Sequence, residues 1–156
     1  LLLDAFKLIS NKYPFARLTI LGSGSMEDKL KIQIGELAIE DKVHIIANVA
    51  NPQDYVAKAD MYMSTSITEG FSLTTVEALA CGMPALVTDS GGVSDIIEHG
   101  YNGYICQHDA AELAQKAAEL IENPDTYETM KKNALASAKK FDVAIFAEKY
   151  KKLYFE

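Results

Sequence analysis

Short apolar runs alternate with stretches of helical spacing along the first two thirds of the chain. ARLTIL (16–21), VHII (43–46), MYMS (61–64), PALVT (84–88) and the brief GYIC (103–106) are compact and apolar, as strands buried on both faces should be. Between them, apolar positions recurring every three to four residues predict helices over 1–12, 26–38, 52–58, 73–81 and 92–98. Alternation of this kind predicts βαβ units and an α/β fold with a parallel sheet.

The last third changes character and predicts three helices in succession. Asp109 is placed to cap one through Ile121, Asn123-Pro124 sets proline at the first position of a second through Lys140, and Asp142 caps a third that runs to the end. That last helix carries Ile145, Phe146, Lys149, Tyr150, Leu153 and Tyr154, a broad apolar and aromatic face that needs something to pack on. The opening LLLDAFKLIS has helical spacing with neither a methionine nor a capping residue, so the chain is expected to begin inside a helix, with part of the protein upstream. No repeat, low-complexity run or linker divides the 156 residues, and one domain over 1–156 is expected.

Composition narrows the function classes. About half of the residues are apolar and the net charge is −7, with Arg17 the one arginine; a nucleic-acid surface needs a clustered basic footprint, so none is expected. Cys81 and Cys106 lack a CxxC or histidine partners and read as small buried thiols, which gives neither a zinc site nor a redox motif. No run is long enough to span a membrane and the opening lacks a basic leader region, so the expected setting is cytoplasmic.

Two glycine loops follow predicted strands. GSGSMED places Gly22 and Gly24 between a strand and a helix, where open α/β sheets bind ligands. A dinucleotide fingerprint wants a third glycine or alanine where Glu27 stands, so the loop reads first as a tight turn. TDSGGVSDII follows PALVT, with Gly91 and Gly92 giving backbone freedom and Asp95 near a helix start. HGYNGYI reads as a turn into the last short strand.

The most informative stretch is SITEGFSLTTVEALACGM (66–83). A helix start exposes up to four free N–H groups and about half a positive charge, which suits a phosphate. Here Glu69 precedes that start and Glu77 lies about 6 Å inside it by helical rise, while no lysine or arginine occurs between Lys58 and Lys116. Two carboxylates flanking an anion site are suited to hydroxyl pairs, such as a ribose diol on one side and sugar hydroxyls on the other. Glu148 and Glu156 share the same spacing inside a helix and act as a control: spacing alone carries no function. The bland alternative is a loop glutamate and a solvated helix glutamate.

EGFSLTTVE resembles the E-x7-E signature of the retaining GT-B glycosyltransferases of group 1 (family 4). ALACGMPALVTDSGGVSDIIEHGYNGYI and LTILGSGSMEDKL are similar to the same family's pattern. The resemblance covers essentially the whole chain and implies a Rossmann-like doubly wound domain with additional C-terminal helices, one half of a GT-B fold. It implies that Glu69 contacts donor-sugar hydroxyls in the catalytic site, helped by the backbone of Phe71 and Ser72. It also implies that the Leu73 and Thr74 amides hold the diphosphate, that Glu77 holds the ribose, and that the base rests near Val49.

The nucleotide sugar, UDP- or GDP-linked, is then a substrate, and no cofactor or metal is implied. The resemblance further implies a partner for the terminal helix in the protein's own N-terminal domain, and membrane association only through parts outside this sequence. Asp95 departs from a commoner glutamate and Ser72 from glycine or proline, and the family's diphosphate-neutralising Arg and Lys have no counterpart here; the isolated chain is expected not to turn over. A sugar-nucleotide epimerase of similar architecture and a nucleotide-binding or interaction module without chemistry stay open as other readings.

Overall fold

A computed structural model describes residues 1–155; the side chains of Phe146 and Lys149, and Glu156 of the control pair, lie outside the described residues. The elements run α1 (Leu2–Lys12), β1 (Leu18–Leu21), α2 (Glu27–Glu36), β2 (Val43–Ile46), α3 (Gln53–Val56), β3 (Tyr62–Ser64), α4 (Leu73–Ala80), β4 (Ala85–Thr88) and β5 (Gly103–Cys106). Three helices follow: α5 (Ala110–Glu122), α6 (Pro124–Ala138) and α7 (Val143–Phe155).

The expected α/β architecture is present. All pairings are parallel, and the strands hydrogen-bond in two groups, β1-β2 and β3-β4-β5. Each group is wound outward from its own first strand. In doubly wound folds, ligands bind where the direction of winding reverses, outside the carboxyl ends of the strands.

Strand β4 shows why the core sits where it does. Ala85, Leu86 and Val87 have no exposed surface and Thr88 almost none. Successive side chains point to opposite faces, so Leu86 packs with Ala5 and Ile9 of α1 and Leu113 and Ala117 of α5, whereas Ala85 and Val87 pack with Leu79 of α4 and Ala134 of α6. Helix α1 serves both strand groups, since its Leu3 and Phe6 join Ile34, Ile39 and Val43. Each of these large side chains contributes about 1.5–3 kcal/mol by leaving water.

The capping expectations hold. Asp109 Oδ1 accepts the Glu112 N–H at 2.9 Å, Asp142 Oδ1 accepts the Ala144 N–H at 2.7 Å, and Pro124 opens α6. Two expectations are corrected. The helix over 92–98 is a single 3-10 turn, Gly92–Asp95, because the Asn102 side chain takes over the backbone beyond it: it accepts the Glu98 N–H at 2.9 Å and donates to the Ile96 carbonyl at 3.0 Å. Of the two thiols only Cys106 is buried; Cys81 is half-exposed at the end of α4. Burial pushes the Cys106 thiol up to about 11, which keeps it protonated and unreactive at neutral pH.

Among the described residues no helix is long and apolar enough to cross a membrane, and no group of histidine, cysteine and acidic side chains is placed to hold a metal. Helix α7 leaves much of its apolar face in water: Val143 is 80% exposed, Leu153 76% and Tyr154 71%.

Candidate active site

Residues 65–72 leave the carboxyl end of β3 and turn into α4, and two sets of contacts fix that turn. The first is main chain. The Glu69 N–H donates to the Ser90 carbonyl at 3.0 Å and the Gly92 N–H donates to the Glu69 carbonyl at 2.9 Å, so the loop after β4 pairs with the turn as a short parallel bridge. The adjacent glycines serve different needs. Gly91 adopts φ 95°, which favours a residue without a Cβ. At Gly92 the need is space, since a Cβ would stand 2.0 Å from the Gly70 carbonyl oxygen. The Thr88 hydroxyl adds a 2.7 Å bond to the Ser66 carbonyl.

The second set is a hydroxyl cluster at the start of α4. Ser72 is buried and is the N-cap; its Oγ accepts the Thr75 N–H at 3.4 Å and the Thr75 hydroxyl at 2.8 Å. Thr74 Oγ1 lies 3.3 Å from Ser72 Oγ and 2.8 Å from the Tyr62 hydroxyl. The Val76 N–H makes the first in-helix bond, to the Ser72 carbonyl at 3.2 Å. With Thr75 and Val76 satisfied, the N–H groups of Leu73 and Thr74 have no partner among the described residues. These are the two amides that the resemblance assigns to a diphosphate. No acidic residue occupies the first turn of α4, so its positive end is not internally compensated.

Around this helix start the structure brings together Glu69, Phe71, Ser72, Leu73, Thr74 and Glu77. Glu69 is half-buried and Glu77 exposed, and neither carboxylate bonds to another described side chain. Phe71, 47% exposed, sets its ring edge-to-face on Phe141 with centroids 5.7 Å apart. Val49 is half-buried in the loop after β2, at the carboxyl end of the other strand group.

Three contributors escaped the reading of the sequence. Ser90 anchors the Glu69 amide through its carbonyl, and its own buried hydroxyl has no hydrogen-bond partner among the described residues. Gly92 was visible only as half of a flexible pair, because its need for space depends on Gly70, 22 residues earlier. Phe141 meets Phe71 across 70 residues, and no local pattern signals that contact.

A family profile described as Glycosyl transferases group 1 matches residues 1–137. An uncharacterized glycosyltransferase of Haemophilus influenzae is 32% identical over 96% of this chain and 43% of its own length. The poly(glycerol-phosphate) alpha-glucosyltransferase of Bacillus subtilis is 30% identical over 94% of this chain and 22% of its own. The chain thus spans less than half the length of these relatives. Among solved structures, a pneumococcal O-GlcNAc transferase in complex with UDP and GlcNAc superimposes with TM-score 0.87 at 26% identity, covering 97% of this chain and 31% of that one. An Anabaena protein in complex with UDP and glucose gives 0.87 at 26%, covering 98% and 44%.

Proposed function

Because the chain belongs to the glycosyl transferases of group 1, we propose that it is the donor-binding domain of a retaining enzyme that moves a sugar from a UDP- or GDP-linked donor to an acceptor hydroxyl in glycan or glycolipid synthesis. The observation that carries this reading is the amide pair of Leu73 and Thr74, set between two carboxylates, with none of these groups partnered among the described residues. The helix start takes the diphosphate. Glu69, on the loop side, accepts from donor-sugar hydroxyls beside the backbone of Phe71 and Ser72, and is the group nearest the reacting carbon. Glu77, one turn in, accepts from the ribose diol, and the base rests against the loop at Val49. The UDP and sugars bound by two similar structures fit this assignment.

No cofactor or metal enters the proposal. A diphosphate is poorly neutralised by two amides alone, and no lysine or arginine occurs between Lys58 and Lys116. Nucleotide affinity of this chain by itself is therefore weak, and turnover requires the acceptor-binding part. The exposed Val143, Leu153 and Tyr154 of α7 offer that N-terminal part a docking face.

Calorimetric titration of UDP, GDP and their glucose conjugates into this chain and into Glu77→Ala tests the assignment. A five- to twentyfold weaker nucleotide affinity in the variant is expected from loss of a charge-assisted hydroxyl contact. Equal affinity in both proteins would remove Glu77 from the ribose.

A further inference from the structure

The ring contact between Phe71 and Phe141 joins two parts of the chain with different tasks. Phe71 immediately precedes Ser72, the cap of α4, and the two free amides follow within three residues. Phe141 ends the 3-10 turn Lys139–Phe141 that links α6 to α7. It packs at the edge of the cluster formed by Leu79, Val87, Val93 and Ala134, so its position is set by the core on one side and by the root of α7 on the other. The main-chain bonds to Ser90 and Gly92 fix the turn at Glu69. Between Glu69 and the cap at Ser72, the Phe71 ring has its aromatic contact with Phe141.

We propose that Phe141 is a positioning residue for the donor site. Acting through Phe71, it holds the segment that aims the Leu73 and Thr74 amides, and it ties that aim to the start of α7. A displacement of α7 on docking is thereby felt at the diphosphate site, and a bound diphosphate biases α7 in return. The inference rests on the reading of those amides as the diphosphate site. An edge-to-face pair contributes beyond its buried area, and the effect is expected at the diphosphate and the sugar beside Phe71 but not at the ribose, because the ribose is assigned to Glu77, a full turn further into the helix.

The test is a double-mutant cycle on the full chain, titrated with UDP and separately with uridine by NMR at millimolar concentrations. Phe141→Ala and Phe71→Ala are each expected to weaken UDP about three- to tenfold, leave uridine within about twofold, and lose no more in combination than the weaker single variant. Phe141→Tyr, which keeps the ring, should restore UDP binding. Should Phe141→Ala not fold, Phe141→Leu, which keeps apolar bulk without a ring, takes its place in the cycle. Unchanged UDP affinity in the folded variants, or additive losses shared equally by UDP and uridine, would overturn the positioning role. A wild-type chain that binds UDP no better than uridine would instead overturn the reading of the site, and the coupling with it.

Discussion

Helices α2 and α4 both follow a parallel strand through a glycine-bearing loop, yet they begin in opposite ways. Helix α2 starts from Met26 with no side-chain cap, and its first turn carries Glu27 and Asp28; Glu27 is further engaged by Lys31 at 2.6 Å. Its positive end is already answered by its own acids. Helix α4 starts from a buried serine cap, has no acid in its first turn, and leaves two amides open. The turn before it is fastened to the loop after β4, whereas a Cβ added at Gly24, in the loop before α2, would meet nothing within 4 Å. A glycine loop at a strand's carboxyl end thus does not by itself leave the following helix start uncompensated. What distinguishes α4 is an uncompensated helix start held rigidly by contacts from elsewhere in the chain.

The largest contrast is expected between two alanine substitutions. Gly92→Ala forces the Gly70 carbonyl aside and should weaken UDP binding more than tenfold while lowering Tm by several degrees. Gly24→Ala should leave both unchanged, and parity between the two variants would break the contrast. Next is Ser72→Ala, which removes the cap and leaves the buried Thr75 hydroxyl without its acceptor. A loss of about 1–3 kcal/mol in chemical denaturation is expected, together with weaker UDP binding. Leu73→Glu copies the acids of α2 into α4; UDP affinity should fall about two- to fivefold at low salt, with the difference shrinking in 0.5 M salt. The smallest effect is expected of Glu27→Gln. The Glu27 hydrogen bond is the leading cause that holds the Lys31 amine above its usual range, but the pair is exposed, so Tm should move little and no UDP response should arise at α2.

Much of this was legible in the sequence because it is local. Strand positions came from short apolar runs, although only β4 and β5 are buried on both faces and Thr19 of β1 and His44 of β2 are exposed; Asp109, Asp142 and Pro124 marked helix starts through their own side-chain chemistry. The candidate site that we propose was likewise readable in EGFSLTTVE, since the acids, the cap and the two amides lie within nine residues. What the sequence did not show depends on distant partners. The segment 92–98 has helical spacing, yet the Asn102 side chain bonds its backbone and stops it after one turn. Gly92 looks like a flexibility residue until Gly70 is placed against it, and Phe141 looks like one more aromatic near a helix end until Phe71 meets it. Cys81 has the composition of a core residue, but its place at the end of α4 leaves it half-exposed.

The most direct measurement is a 15N NMR titration of this chain with UDP, following the backbone amides at the two helix starts. The Leu73 and Thr74 signals should move saturably with UDP and much less with uridine, while Glu27 and Asp28 stay in place. Stationary Leu73 and Thr74 amides under a saturating UDP response elsewhere, at α2 above all, would contradict the account.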